Sequence, residues 1–259
     1  MSPRRKHFAF CVLAGLSFTS AQAPLGIWPG ILLGFALSVW LLRISETPLR
    51  AFWTGWSIGA SYFATSLIWI VEPFLVDFAA TAWMAPFALV LMASGLALFW
   101  AMPFWGAAKL GKPVTILALW PLAEYARSVL FSGFPWGLSA YAWLDTPVAQ
   151  IAAWVGPHGL GALTLALAAL PVFIGLRLGS ALGLAGLLGL AGLGLMRLGD
   201  MPPQADDAPI IRLTQPNAPQ HQKWDPDYAF IFFRRLTLAT AAAPHPDLVV
   251  WPETSLPTW

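Results

Sequence analysis

Charged residues are scarce in this chain: Asp, Glu, Lys and Arg together make up 10% of its 259 residues. Soluble domains carry about 25% of these residues, so the composition excludes an ordinary soluble globular protein. Cysteine is nearly absent too, and a single one excludes an intramolecular disulfide and a metal site built from several cysteines. The net charge of +2 does not favour a nucleic-acid-binding protein, which would show a dense basic patch.

Apolar residues are correspondingly abundant in this chain. They make up 58% of the chain, and the mean hydropathy is +0.67. The fifteen tryptophans suggest anchoring at membrane interfaces, where this residue is enriched. Together these features predict a polytopic α-helical membrane protein.

Seven apolar stretches approach the roughly 20 residues that a membrane-spanning helix needs. The predicted spans are Phe8–Ala23, Leu25–Leu42, Ala51–Val71, Ala79–Trp105, Val114–Leu130, Gln150–Ile174 and Gly179–Leu198. The first is the shortest, and with the cationic residues before it this stretch also imitates a cleavable signal peptide. We expect an uncleaved signal-anchor because the next span follows with almost no loop.

The distribution of cationic residues predicts the orientation, because cytoplasmic loops carry an excess of Lys and Arg. With a cytoplasmic N-terminus, Arg127 and Arg197 are the only cations before residue 200 that fall on the outer side. The eight that fall on the cytoplasmic side are Arg4, Arg5, Lys6, Arg43, Arg50, Lys109, Lys112 and Arg177. We therefore expect a multi-pass protein of a bacterial inner membrane, with its tail in the periplasm.

The composition changes abruptly at Asp200, which predicts a boundary between domains. Residues 1–199 form the expected transmembrane domain, and the acidic, proline-rich residues 200–209 form a linker. Residues 210–259 show a short strand–helix–strand pattern typical of the start of an α/β domain. The fold class expected is a seven-span membrane domain followed by an incomplete α/β sandwich.

Within that tail, the pattern predicts a strand over residues 210–214 and a buried strand over residues 248–251. A loop, Gln215–Trp224, follows the first strand, and we expect its two prolines to prevent a helix there. A helix should then begin with Asp225 as its N-cap and run to about Ala243.

Glu253 follows the second strand directly, at the edge where α/β sheets place ligands and catalytic groups. A carboxylate that is partly desolvated beside Trp251 would have a raised pKa, which suits a general base near neutral pH. A solvated loop glutamate is the alternative that the local sequence leaves open.

Four segments of this chain resemble known sequences, in the same order along the chain. The segment LVVWPETSLP (248–257) is similar to the catalytic-glutamate segment of the nitrilase, or carbon–nitrogen hydrolase, superfamily. After a multi-span domain, it resembles the apolipoprotein N-acyltransferases in particular. The other segments that resemble this family are RLTQPNAPQHQKW (212–224), GFPW (133–136) with the nearby Tyr141, and WPLAEYAR (120–127).

The resemblance implies a nitrilase-like periplasmic domain and acyl transfer in two steps. A cysteine thiolate takes a fatty acyl group from a membrane phospholipid, and the resulting thioester acylates the N-terminal diacylglyceryl-cysteine of an apolipoprotein. Glu253 matches the glutamate of the family's Glu–Lys–Cys triad, and Trp224 would line the substrate entrance. No cofactor, metal or nucleic acid is implied.

The sequence departs from the family pattern after Glu253. No segment matches the triad's lysine or cysteine, and Cys11 lies in the first predicted span, where we expect a small buried apolar residue. We therefore expect an N-terminal fragment that is inactive alone. A membrane-tethered amidase of the same superfamily and a non-enzymatic transporter remain alternatives, although the chain shows no internal repeat of the kind that transporters carry.

Glu124 and Arg127 lie three residues apart on the fifth predicted span, so their side chains are able to pair. We expect a structural pair beneath the outer loop, with Arg127 extending its guanidinium to the interface. Contact with phospholipid headgroups is the functional alternative, because charged residues within spans are often functional. His158 and His245 have no partner at metal-ligand spacing.

Overall fold

The computed structural model describes residues 2–200, 205, 207–223 and 225–252. These residues divide into two compact units. The first unit comprises Met1–Ile70 and Pro86–Met201, and the second comprises Val71–Ala85 and Pro202–Trp259. The segment between the third and fourth predicted spans thus groups with the tail, which its sequence gives no reason to expect.

The secondary structure is mostly helical. The α-helices are α1 (Pro3–Ser20), α2 (Pro29–Arg43), α3 (Pro48–Ser66), α4 (Phe78–Thr81), α5 (Ala85–Lys109), α6 (Ile116–Val129), α7 (Ala152–Ile174), α8 (Leu176–Gly199), α9 (Gln220–Lys223) and α10 (Pro226–Ala241). The strands are β1 (Ile211–Leu213) and β2 (Leu248–Val250). Short 3-10 segments cover Ile68–Leu75, Ala82–Met84, Pro113–Thr115, Leu130–Ser132, Ser139–Trp143 and Pro147–Ile151.

A helix of 14 residues or more lies at each of the seven predicted apolar stretches. Within the described residues, four helical segments are long and apolar enough to cross a membrane. These are Phe78–Lys109, Pro113–Ser132, Pro147–Ile174 and Leu176–Gly199. A fifth span results if α3 and the bent segment after it are counted together, while α2 is shorter. Seven crossings therefore remain a prediction.

The third predicted span, Ala51–Val71, is not one continuous helix. The helix ends at Ser66, and the axis of the 3-10 segment that follows makes an angle of 46° with the axis of α3. The hydroxyl groups of Ser61 and Ser66 donate to the carbonyl oxygens four residues earlier, an arrangement that tends to bend helices. Pro73 then removes a backbone donor and keeps the segment from returning to α-helix.

An aromatic cluster forms the centre of the first unit. Tyr62 from α3 stacks on Trp100 from α5, with ring centroids 5.0 Å apart, and Trp100 contacts Trp120 from α6 at 4.9 Å. Phe18 from α1 and Phe35 from α2 complete the cluster, with their ring centroids 4.9 Å apart. The prediction that the tryptophans are interface anchors is wrong for Trp100 and Trp120, which are 1% exposed. They are buried because five helices meet at their rings.

Glycines explain how closely α8 packs on its neighbours. A Cβ atom at Gly179 would overlap the backbone of Leu170 in α7, and one at Gly194 would overlap the carbonyl group of Pro147. Small residues at such positions let helix backbones approach closely. A Cβ atom at Gly189 would meet nothing within 4 Å, so the glycine pattern of α8 is used for packing only in part.

The tail forms a parallel pair of strands joined through α10, with Ile211 opposite Leu248 and Leu213 opposite Val250. Asp225 caps α10 as predicted, its carboxylate accepting from the Asp227 N–H at 2.9 Å. Two expectations were wrong. The loop between 215 and 224 contains α9, since Pro219 does not hinder a helical turn that begins after it. Leu248 and Val250 are also exposed, because no further strand or helix covers that face within the described residues.

Candidate functional site

A buried ion pair lies in the second half of α6. The Arg127 Nη2 atom is 3.8 Å from Glu124 Oε1, and the two side chains are 0% and 5% exposed. The sequence predicted the pair, but the prediction that Arg127 extends to the interface was wrong. Arg127 stays buried because protein carbonyl groups accept hydrogen bonds from its terminal nitrogens, which lowers the cost of keeping a cation out of water, while its Nε atom is buried with no hydrogen-bond partner.

Those carbonyl groups belong to residues 133–139, which we call the clamped loop. Arg127 Nη1 donates to the carbonyl oxygens of Phe134 at 2.6 Å and Trp136 at 2.7 Å, and Nη2 lies 3.5 Å from that of Gly137. The Phe134 N–H donates back to the Arg127 carbonyl oxygen at 2.9 Å. One guanidinium group therefore holds this loop at three of its carbonyl groups, a task for which its rigid fork of donors is suited.

Three further side-chain hydrogen bonds also hold the clamped loop. The Tyr62 hydroxyl from α3 donates to the Gly137 carbonyl oxygen at 2.7 Å, and the Gln22 amide, which follows α1, donates to the Leu138 carbonyl oxygen at 3.3 Å. The Ser139 hydroxyl donates to Glu124 Oε2 at 2.8 Å. The loop is thus positioned by backbone-directed hydrogen bonds from residues far apart in sequence.

The turn that leads into the clamped loop is strained. Phe131, Ser132 and Gly133 have φ values of 57°, 87° and 81°, in the region that favours glycine. A non-glycine residue there costs about 1–3 kcal/mol and persists only where its surroundings hold it. The turn and the loop each present an aromatic side chain outward: Phe131 is 91% exposed and Trp136 is 52% exposed.

The sequence identified part of this arrangement. Arg127 and the GFPW residues were both singled out, and the ion pair was expected beneath the outer loop, but the hydrogen bonds from the guanidinium to that loop were not predicted. Tyr62 and Gln22 were missed because an isolated polar residue in an apolar segment does not reveal which backbone group it binds. Their location within or beside predicted spans is the one available signal, since polar groups there need partners.

The two predicted site residues, Glu253 and Trp224, lie outside the described residues. The structure does describe the strands that lead towards them. Because β1 and β2 are parallel, the segments after Leu213 and after Val250 leave the same edge of the sheet. The segments that carry Trp224 and Glu253 therefore start from neighbouring positions.

Side-chain contacts fix the chain on both sides of this edge. Arg212 in β1 donates to the carbonyl oxygens of Ala239 at 2.9 Å and Ala242 at 2.6 Å, at the C-terminal end of α10, where a cation is favoured. After β2, Trp251 donates from its indole nitrogen to the Thr240 hydroxyl at 2.9 Å and packs edge-on against Phe233. The position two residues before Glu253 is thus anchored to α10.

Other reactive side chains have structural partners. His158 Nε2 is 2.9 Å from the Ser128 hydroxyl, and its ring packs edge-on against Tyr125. Cys11 is buried in α1, as predicted, with 1% of its surface exposed. No group of three His, Cys, Asp or Glu residues suited to a metal ion occurs among the described residues.

Comparisons with known proteins agree on one family. Residues 14–170 match the model of the apolipoprotein N-acyltransferase N-terminal domain. A protein of Caulobacter vibrioides called apolipoprotein N-acyltransferase is 37% identical over 96% of this chain and 50% of its own length. Proteins of the same name from Allorhizobium ampelinum and Brucella suis are each 34% identical, over 95% and 98% of this chain.

These relatives are considerably longer than the chain described. The alignments cover 51% of the Allorhizobium ampelinum protein and 52% of the Brucella suis protein. The chain therefore spans about half the length of the curated relatives that it matches, and the match includes the membrane helices as well as the strands of the second unit.

Proposed function

Because the chain belongs to the apolipoprotein N-acyltransferase family, we propose that it contributes to phospholipid-dependent N-acylation of apolipoproteins. The acyl donor is a membrane phospholipid, and the acceptor is the α-amino group of an N-terminal diacylglyceryl-cysteine. The similarity to relatives of that name over 96% of the chain carries this proposal.

The seven long helices each cross a bacterial inner membrane in this proposal, with the N-terminus in the cytoplasm. Four helical segments of the required length and hydropathy support it, as does the bent segment that begins with α3. The cationic residues at the helix ends support the orientation. The clamped loop and the nitrilase-like tail then both lie on the periplasmic side.

Glu253 is the general base in this proposal. Its support is its place after β2, at the carboxyl edge of a parallel pair, where α/β sheets bind ligands. Trp224, which follows the neighbouring strand, lines the entrance for the acyl chain or the lipoprotein. Trp251, anchored to α10, keeps the start of the Glu253 segment in place.

The chemistry requires a thiol that Glu253 deprotonates. The thiolate attacks an ester carbonyl carbon of the phospholipid, so that a C–S bond forms, the ester C–O bond breaks, and the departing alcohol takes the proton from Glu253. The amine of the acceptor then attacks the thioester carbonyl carbon, so that an amide C–N bond forms and the C–S bond breaks, and the proton released by the amine returns the thiolate to a thiol. A lysine would stabilise the oxyanion in both steps.

The thiol and the lysine of this scheme correspond to no residues of the 259 printed. The one cysteine, Cys11, is buried within α1. In this proposal the chain supplies the membrane platform, the general base and part of the entrance.

The proposal is tested in the cells that make this protein. Depletion of its gene product should leave lipoproteins diacylated, with a free α-amino group on the N-terminal cysteine, as read by mass spectrometry. Complementation with the Glu253→Gln form of the gene should not restore the third acyl chain. The matched control is Glu46→Gln, since Glu46 is an exposed partner of Arg50, and this variant should restore acylation. Lipoproteins that stay triacylated after depletion would refute the proposal.

A further inference from the structure

A cavity of about 710 Å³ lies between the first turns of α1 and those of α3. The two helices touch in their second halves, where a Cβ atom at Gly15 would overlap Ser61. The hydroxyl oxygens of Thr19 and Thr65 are also only 2.6 Å apart there. Nearer their N-termini the helices leave the cavity between them. Its volume falls within the range of about 300–1,000 Å³ that small-molecule sites occupy.

Polar contacts hold the two walls of this cavity together. His7 Nε2 in α1 is 2.8 Å from Thr54 Oγ1 in α3. The Thr54 hydroxyl donates to the Arg50 carbonyl oxygen at 2.9 Å, which leaves its own oxygen free to accept from the imidazole. The cavity is thus formed without a ligand, and a preformed site binds at a lower entropic cost.

One end of the cavity carries a cation without a partner. Arg50 is neutralised by Glu46, with Arg50 Nη1 2.9 Å from Glu46 Oε2. Arg4 also lines the cavity, and its guanidinium group has no ion pair or hydrogen bond within the described residues. The dipoles of α1 and α3, whose positive ends lie here, act in the same direction. This end is therefore suited to a group with a single negative charge.

The remainder of the lining is largely apolar. Phe8 and Cys11 line the α1 side of the cavity, and Trp53 lines its α3 side. From Arg4 to Cys11 the groove is about 10 Å long, at a rise of about 1.5 Å per residue. Beyond Cys11 the close packing at Gly15 ends it. A ligand that fits this cavity therefore has one charged end and one short apolar chain.

We propose that this cavity binds a medium-chain fatty acid as its carboxylate. The two carboxylate oxygens accept from the guanidinium group of Arg4, whose planar fork of donors fits them. The alkyl chain lies along Phe8 and Trp53, where its burial is favourable. A membrane phospholipid fits less well, because the groove between two helices receives one chain rather than two. In the proposed orientation the site lies at the cytoplasmic ends of α1 and α3, so it is not part of the acyl-transfer site.

The test measures binding of tritiated decanoate to the purified protein in lipid nanodiscs, with empty nanodiscs as the blank. Two competitors separate the parts of the ligand, since 1-decanol has the chain without the charge and acetate has the charge without the chain. We expect saturable binding, competition by 1-decanol about three- to fivefold weaker than by unlabelled decanoate, and no competition by acetate at the same concentration. Binding no greater than to empty nanodiscs would overturn the proposal, as would a competitor that matches decanoate.

Variants of two neighbouring arginines test the role of the charge. Arg4→Gln should weaken decanoate binding about three- to fivefold and leave 1-decanol binding unchanged, as expected for the loss of one exposed charge pair. Arg4→Lys should keep part of the affinity. The matched control is Arg5→Gln, which removes the same charge from an exposed residue that points to a different side of α1. An equal loss in the control, or no loss in Arg4→Gln, would refute the site.

A photoreactive ligand locates the chain directly. Decanoate with a diazirine at the end away from its carboxylate should label α1 or α3 close to Cys11 and Ser57, which line the far part of the cavity, and an excess of decanoate should suppress the labelling. Peptide mass spectrometry identifies the labelled residues. Suppressible labelling confined to other helices would refute the proposed site. None of these measurements depends on acyl transfer, so their failure would leave the proposed function untouched.

Discussion

The phenol oxygen of Tyr62 donates a 2.7 Å hydrogen bond to the carbonyl oxygen of Gly137, which lies 75 residues farther along the chain. The same tyrosine ring stacks on Trp100 with an interplanar angle of 6°. One side chain therefore joins the aromatic cluster of the first unit to the clamped loop, so the packing of the core contributes to the position of that loop.

Substitution Tyr62→Phe should remove the hydrogen bond and keep the ring. The free energy of unfolding should fall by about 0.5–1.5 kcal/mol, the usual contribution of one such bond. Denaturant titration in detergent gives the value. The matched variant Tyr125→Phe alters a tyrosine that is 52% exposed and should leave stability unchanged. Equal effects of the two substitutions would show that the bond to Gly137 contributes nothing.

Substitution Arg127→Ala should be far more disruptive, because it leaves Glu124 buried without its charged partner and the carbonyl groups of Phe134 and Trp136 without the guanidinium donor. Breaking a buried pair in this way costs about 3–5 kcal/mol. Hydrogen exchange should also rise across residues 133–139. Arg127→Lys should not rescue the loop, since an ammonium group lacks the planar fork.

The control for Arg127 is an exposed pair in the same protein. Arg50 and Glu46 lie 2.9 Å apart with side chains 36% and 79% exposed. Arg50→Ala should cost about 0–1 kcal/mol, because solvent screens such pairs. If Arg127→Ala cost no more than Arg50→Ala, the buried pair would have no role in holding the loop.

Two glycines of α8 should respond differently to the same substitution. Gly194→Ala places a methyl group against the Pro147 carbonyl, and overpacking of this kind costs about 1–3 kcal/mol. Gly189→Ala adds a methyl group where nothing lies within 4 Å, so stability should be unchanged or rise by up to about 1 kcal/mol. Thermal unfolding of both variants in one detergent tests the difference, and a stable Gly194→Ala protein would contradict the close packing.

The orientation is tested with reporter fusions. Alkaline phosphatase, which is active only in the periplasm, should be active when fused after residue 207 and inactive when fused after residue 111, between α5 and α6. Green fluorescent protein fused at the same positions should give the opposite pattern. An inactive phosphatase at 207 would place the tail in the cytosol and would contradict the proposed function.

A polypeptide of the 259 residues alone should not transfer acyl groups. Its single cysteine is buried within α1, so it has no accessible thiol to carry the acyl chain. The measurement uses labelled phospholipid and a diacylglyceryl-cysteine peptide, with the Caulobacter vibrioides relative as the active reference. Transfer of label by the 259-residue polypeptide would contradict the thioester scheme.

The sequence predicts local structure well where one residue type controls the outcome. Long apolar runs place the seven helices, and the Asp225–Pro226 pair fixes the start of α10, where a capping carboxylate and a fixed φ act together. The β-branched residues of the tail likewise predict β1 and β2.

Tertiary contacts explain what the sequence did not predict. Trp100 and Trp120 are of the residue type that often anchors proteins at membrane interfaces. They are buried instead, because other aromatic rings surround them. Arg127 has the length to reach water, and it turns inward because carbonyl groups of the clamped loop offer better partners. In each case the deciding group is distant in sequence, so no local pattern contains the information.

The aromatic cluster also constrains how the protein is assembled during synthesis. Its rings come from α1, α2, α3, α5 and α6. Phe18 cannot meet Trp120 until the ribosome has delivered about one hundred further residues to the membrane. The cluster is therefore complete only after α6 has been synthesised.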